Sequence, residues 1–403
     1  MEPILYEWGS LLLRWAHVIT GIAWIGSSFH FMHLDASLRA SADGKGLEAW
    51  EVHGGGFYQM RKYLVAPGHL PEELTWHKWQ SYATWLTGFF LLIWVYYYQS
   101  SLFLIDPAIL AMTPLAALGI GIGGLAAGWL AYDWLCKSAL GQNIGALALV
   151  GFVFIIAMAA FFQMVFSPRG AFVHTGALMA TIMSGNVFFI IIPNQKKVIA
   201  ALMAGLAPDP ALGKAAKQRS AHNNYLTLPV VFLMLSSHSP LAYSSRFAFI
   251  VVGLVLVAGA VIRLFYNQRH AGAGNAWWCW ALAIACIWTA VWISMSTSPG
   301  GRDVLGLASP APPPALAGTG PAPPSEVVQV VNNRCAMCHA AEPAWEGIGI
   351  APKGVRLDTP ENIARYAPEI RIQSVMTHAM PPNNISGISL RERIILAHWL
   401  AAR

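Results

Sequence analysis

The sharpest chemical signal in this 403-residue chain is Cys335-Ala336-Met337-Cys338-His339. Two thiols three positions apart reach the two vinyl groups of one porphyrin, and the adjacent imidazole then falls on the iron. That is how a c-type haem is attached. Zinc would need a second ligand pair, and the other cysteines (Cys136, Cys279 and Cys286) lie far away in apolar segments. A redox dithiol would open a helix after a strand, and no such unit is read around residue 335. The motif therefore predicts one covalent haem c with His339 on the iron. It also predicts a domain outside the cytoplasm, where this haem is attached. Downstream, Met380-Pro381-Pro382 forces extended backbone able to hold a thioether over the iron. Met380 is the expected sixth ligand, with Met376 and His378 as competitors.

A second group of polar residues lies in apolar sequence. Arg14, His17, His30 and His33 fall within twenty residues, and Arg14, His17, Gly21, Trp24 and Ser28 share one helical face. Ionisable groups in a membrane are costly and mark functional sites by default. His17 and His174 form a candidate ligand pair for a second, b-type haem. A substrate contact or hydrogen-bonded packing suits either one alone. A third group is expected at the cytoplasmic side: His53-Gly54-Gly55-Gly56-Phe57-Tyr58, and Arg219 through His222-Asn223-Asn224-Tyr225. The glycines let backbone amides approach a planar anion, although no phosphate-loop pattern is present. The asparagine amides both donate and accept, and Arg219 or His222 offsets negative charge. Arg14, His53, His222, Asn223 and Asn224 are thus the candidate substrate residues. The plainer readings are helix capping for the asparagines and membrane topology for the basic residues.

These residues must be positioned by a membrane bundle. Charged residues make up only 11% of the chain against 56% apolar, with a mean hydropathy of +0.50. Runs long enough to cross a bilayer recur at 8–34, 78–99, 113–135, 143–166, 170–192, 222–238, 245–266 and 275–297. The sixth is short and carries Pro229. The first run lacks a basic leader and is interrupted by Arg14 and His17, so it reads as a retained helix, not a signal peptide. The aromatic runs 96–98 and 277–280 read as belts at membrane boundaries. The three isolated cysteines read as apolar packing. Residues 299–325, rich in proline, alanine and glycine, read as a semi-stiff tether. The fold expectation is all-α: an eight-helix transmembrane bundle over 1–298, the tether, and a small class I cytochrome c over 326–403. Eight crossings with the cytochrome outside put twelve basic residues in the inner loops and two, Arg169 and Arg246, in the short outer ones. The positive-inside rule asks for that direction. The net charge of +6 is then a topology signal, and nucleic acid is not an expected partner.

Four segments carry a family resemblance. They are Arg14-Trp15-Ala16-His17 through Trp24-Ile25-Gly26, the His53–Tyr58 loop, Ser184-Gly185-Asn186-Val187 through Lys196, and His222 through Pro229. Together with the C-terminal haem motif they resemble the bacterial membrane-bound urate oxidases (urate hydroxylases). The resemblance implies oxidation of urate to 5-hydroxyisourate and passage of electrons through the c-haem. The acceptor it implies is a periplasmic cytochrome c or a terminal oxidase, with no release of hydrogen peroxide. Gln80 stands where that family is expected to carry a carboxylate. The alternative is a membrane-anchored cytochrome subunit that takes electrons from quinol or a partner protein. One haem accepts one electron whereas urate delivers two, and a bilayer core is ~30 Å thick. These are the reasons for expecting a second carrier or an outward-lying substrate pocket.

Overall fold

Side-chain caps open four of the bundle helices. Thr113-Pro114, Ser167-Pro168 and Asp209-Pro210 each combine a side chain that caps the first turn with a proline whose missing N–H costs nothing there. They open α4 (Pro114–Lys137), α6 (Pro168–Gly185) and α8 (Pro210–Ser236). Asn143 caps α5 (Ile144–Val165) in the same way, accepting from the Ala146 amide. The other long helices are α1 (Glu2–Ser37), α2 (Trp79–Leu92), α7 (Ile192–Met203), α10 (Ala248–His270) and α11 (Trp278–Thr297). Two short ones, α3 (Ser100–Phe103) and α9 (Pro240–Tyr243), lie between them. The computed structural model describes residues 2–42, 44, 46–63, 71, 73–237, 239–297, 322–345, 348 and 351–401. Positions 299–321 of the expected tether lie outside the described residues.

The molecule is mostly helical, and among the described residues five helices are long and apolar enough to cross a membrane: α4, α5, α6 continuing through α7, α10 and α11. Three of the longer helices lie outside that set: α1 and α8, which are interrupted by charged and polar residues, and α2, which is only fourteen residues long. They carry Arg14, His17 and Thr20; Ser81, Thr84 and Thr87; and Arg219, His222, Asn223 and Asn224. In the bundle α6 packs on α5, α4 and α8, and α10 packs on α11, α8 and α5. Spans 168–203 and 248–270 are the most enclosed of the five. α8 begins twelve residues before the apolar run that announced it, because its first half is polar. It also runs straight through Pro229, which is buried and sits where a Cβ on Gly259 of α10 would be.

Two wide turns interrupt the regular helices. Ile93–Tyr97 extends α2, and Asn186–Ile191 joins α6 to α7. Such one-turn π segments rotate the side chains that follow and recur at functional sites. Here they carry Tyr97 and Asn186 into the bundle.

The expectation of an all-α chain needs correction at one place. Residues 39–62 form a three-stranded antiparallel sheet: β1 (Arg39–Ala40), β2 (Leu47–His53) and β3 (Gly56–Lys62). The reason lies in Gly54 and Gly55, both with positive φ (58° and 82°), which make the two-residue turn that a tight hairpin requires. Ala49 faces Leu34 and Leu38 at the end of α1, which ties the sheet to the bundle.

After residue 322 the chain forms a second helical unit: α12 (Ser325–Arg334), α13 (Pro360–Arg365), α14 (Ala367–Ile370) and α15 (Leu390–Ala401). Val327, Val331, Ile363 and Leu396 are its fully enclosed core. The start of α15 is a capping box: Ser389 Oγ accepts from the Glu392 amide at 3.2 Å, and Glu392 Oε2 accepts from the Ser389 amide at 2.7 Å. This unit touches the bundle where Pro382–Asn384 meets α3. The bundle therefore has two distinct ends, one next to α3 and the second unit, the other next to the sheet.

Candidate functional site

At the sheet end, α4, the 186–191 turn and α8 bury a continuous polar network. Arg219, 2% exposed, donates to Asp133 Oδ1 at 2.7 Å and to Asn186 Oδ1 at 3.1 Å, and its guanidinium lies over the Tyr132 ring. Asp133 Oδ2 accepts from the exposed Lys137 at 2.6 Å. The Asn186 amide group donates to Tyr132 Oη and to Asn223 Oδ1, each at 3.0 Å, and Asn223 donates to the Met183 carbonyl at 2.9 Å. Tyr132 Oη stands 2.7 Å from His222 Nδ1. That oxygen has a lone pair left beside the one that accepts from Asn186, so either it or the imidazole can supply the hydrogen of this bond. Nε2 has no hydrogen bond to the described residues, so it is the open end of an otherwise closed network.

The network gathers two of the sequence candidates, His222 and Asn223, with Arg219. It also contains Tyr132, Asp133 and Asn186, which the sequence reading did not assign a role in the site. Asp133 had a signal: it is an acid at the end of an apolar run. Arg219 is buried rather than lying in a loop, so it drops out of the expected set of loop basic residues.

Asn224 points the other way. Its Oδ1 accepts from Arg263 Nε on α10 at 2.7 Å, and its amide nitrogen lies 3.5 Å from Asn267 Oδ1. Arg263, 7% exposed, was also unassigned, although an arginine within the 245–266 run carries the same kind of signal as Asp133.

The structure does not bring the other candidates to either place. His53 is exposed at the hairpin turn, and the glycines beside it serve that turn, which accounts for them without a ligand. Arg14 is exposed on α1, one turn before His17. His17 Nδ1 lies 3.1 Å from the Thr84 carbonyl and 3.2 Å from Thr87 Oγ1, with its ring against Gly88. His174 is wholly buried. Its Nδ1 donates to the Gly170 carbonyl at 2.8 Å, its Nε2 meets Tyr97 Oη at 3.1 Å, and its ring packs on Phe162 and Phe166. Both nitrogens of His174 are engaged, so service as a haem ligand would require its bond to Gly170 or to Tyr97 to be given up. Tyr96 and Tyr97 also depart from the boundary-belt reading, since Tyr96 is buried and Tyr97 is turned onto His174. Tyr98 alone of the three is exposed.

A family model described as urate oxidase N-terminal matches residues 3–294. The chain belongs to the urate oxidase N-terminal family. No curated protein and no solved structure matches it significantly. The family match spans the whole bundle, both polar clusters included, and stops before the second unit. That makes the chain a urate oxidase-related protein in which residues 322–401 are a separate addition.

In that addition, Cys335 ends α12, and the Cys338 and His339 amides both donate to its carbonyl, at 3.1 and 3.0 Å. The two thiols and the imidazole thus share one turn. His339 Nδ1 donates to the Val355 carbonyl at 2.9 Å, which leaves Nε2 for a metal. Burial holds His339 below the usual histidine range, so it is neutral and ligand-ready at neutral pH. The Met380 backbone is fixed at both ends: its amide donates to the Gln373 carbonyl at 2.8 Å, and its carbonyl accepts from the buried Arg393 at 3.0 Å. These features fit a c-type haem. Among the described residues no group of three histidine, cysteine or acidic side chains gathers as a metal site, which leaves zinc without a ligand set.

Proposed function

We propose that this chain oxidises urate in an eight-span membrane bundle and exports the electrons through a c-type haem bound to Cys335 and Cys338, with His339 and Met380 as iron ligands. One observation carries the reading. A urate oxidase N-terminal bundle is joined to, and touches, a helical unit whose Cys-x-x-Cys-His turn fits that haem. Urate and one water give 5-hydroxyisourate, two protons and two electrons. When bound, the haem supplies the one-electron acceptor through which electrons pass to a periplasmic cytochrome or a terminal oxidase. Oxygen is not the acceptor at this site, so no peroxide forms. With Nδ1–H donating to Tyr132 Oη, His222 has a free lone pair on Nε2, the open end of the buried network, and takes up a released proton there. Tyr132 and Asn186 hold its ring in place while Arg219 and Asp133 hold them. The excess of basic residues at the sheet end supports a cytoplasmic position for that end. It supports a periplasmic position for the cytochrome unit and the N-terminus of α1, in the inner membrane of a bacterium.

Adding urate anaerobically to the purified, oxidised full-length protein tests this. The ferric haem spectrum is expected to convert to the ferrous one with no partner protein present, and aerobic turnover with an acceptor should yield no hydrogen peroxide. An unchanged spectrum, or peroxide equal to the urate consumed, would sink the proposal. Replacing Met380 with alanine is expected to lower the haem midpoint potential, since a thioether ligand raises it, and to slow electron export. Urate affinity should stay unchanged. A potential equal to that of the wild type would mean that another side chain holds the sixth position.

A further inference from the structure

Two guanidinium groups are buried at the sheet end of the bundle, and only one is neutralised. Arg219 is paired with Asp133. Arg263, on α10, has no carboxylate within ion-pair distance among the described residues. Its Nε donates to Asn224 Oδ1 at 2.7 Å, one terminal nitrogen reaches only the Met32 sulfur at 3.4 Å, and the other has no hydrogen bond to the described residues. Its plane sits over the Phe29 ring, 4.1 Å from the centroid, which fixes its orientation. A guanidinium stays ionised at every relevant pH, and a buried charge is costly unless something of opposite sign meets it. Among the described residues, amides face it but no acid does.

We propose that Arg263 is the anchor for a planar anionic heterocycle, with the Asn224 and Asn267 amides reading the ligand's ring N–H and carbonyl edges. Resting on the urate reading above, this names where urate, a monoanion at neutral pH, is held. Arginine presents a planar fork of donors that matches adjacent oxygen and nitrogen acceptors, which a lysine ammonium does not. Asn267 and His270 follow Arg263 along α10 at four- and three-residue spacing and so share its face. His270 meets His33 of α1 with ring centroids 4.6 Å apart, at the helix end. That face is a polar lane from the sheet end to Arg263, about 10 Å long at helical rise. The Tyr132–His222 network uses a different face of α8, so replacing Arg263 removes none of that network's hydrogen bonds.

The test is urate binding by calorimetry to the full-length protein in detergent, with the haem kept reduced so that nothing turns over. Arg263→Gln is expected to raise the urate Kd by about 30- to 1,000-fold, the loss typical of removing one partner of a buried charged contact. The haem spectrum should stay unchanged. An Arg263→Gln protein that binds urate as the wild type does would overturn the anchor and leave the urate reading standing. Wild-type protein that does not bind urate would overturn the urate reading itself. If Arg263→Gln fails to assemble, Arg263→Lys is measured instead. It keeps the charge and loses the fork, so a rise of about ten-fold or more supports the anchor and an unchanged Kd overturns it.

Discussion

Replacing Asp133 with alanine is expected to cost about 3–5 kcal/mol of stability, more than any other single substitution in the bundle considered above. Arg219 would then remain buried with no counter-charge, and the Asn186 oxygen would be its sole side-chain acceptor. Asp133→Asn should cost less, about 1.5–3 kcal/mol, because an amide oxygen still accepts the hydrogen bond but carries no charge. Removing the exposed Lys137 charge should cost less than about 1 kcal/mol, as surface pairs do. The informative variant is the double replacement Asp133→Leu with Arg219→Met. Exchanging a buried ion pair for apolar groups of similar size is often close to neutral. That protein should recover most of the stability lost by Asp133→Ala yet lose urate oxidation, because Asn186 and Tyr132 would no longer be held against His222. Thermal unfolding in detergent measures the first effect and anaerobic haem reduction by urate the second. Asp133→Ala protein within about 0.5 kcal/mol of the wild type would show that the pair is not formed as described.

The placement of this pair shows what the sequence made legible. Apolar runs mark helices with little polar character: each of the eight expected ranges overlaps a helix, and five of the helices described are long and apolar enough to cross a membrane. Helices that face the polar interior show only their greasier half. α8 was visible from 222 onward because Lys214, Lys217, Gln218 and Arg219 break the apolar count, although they extend the same helix. The hairpin of residues 47–62 was hidden for a related reason. Its alternation is short, and two glycines that suit an anion cradle suit a tight turn equally well. Only the backbone φ values separate the two uses.

The site was legible residue by residue more than as an arrangement. His222, Asn223 and Asn224 stand out as consecutive polar residues at the mouth of an apolar run. Nothing in their spacing says that Asn223 and Asn224 serve different clusters, because successive side chains on a helix diverge by about 100°. Their partners Tyr132, Asp133, Asn186, Arg263 and Asn267 come from three other stretches of chain, brought together by packing alone. Asn186 in addition depends on a one-turn widening of the helix that has no composition signature. His17 and His174 illustrate the opposite outcome. Similar expected depth made them a pair, yet α1 presents one to Thr84 and Thr87 while α6 presents the other to Tyr97.

If the proposed function holds, locking residues 322–401 against the bundle is expected to stop turnover while sparing the first reduction. Under that proposal urate releases two electrons, whereas the haem would accept one at a time, so the exit must be emptied between them. The contact between α3 and Pro382–Asn384 begins two residues beyond Met380, at the edge where a haem held by that methionine would be nearest the bundle. Under the proposal an external acceptor needs the same edge. Cysteines at Ser101 and Asn384, joined by a short bis-maleimide, test this. The native thiols offer little competition: Cys136, Cys279 and Cys286 are buried, and Cys335 and Cys338 are bonded to haem under this proposal. Anaerobic reduction by urate should proceed in the bridged protein, and steady-state reduction of an added soluble cytochrome should fall about ten-fold or more, as it does when a conformational step is blocked. Full turnover in the bridged protein would mean that acceptors reach the haem in the docked position. Loss of the first reduction would mean that the α3 contact is not the electron-receiving one. It would also point to the other end of the bundle, since Tyr132 lies eighteen residues, about 27 Å, along α4 from Pro114.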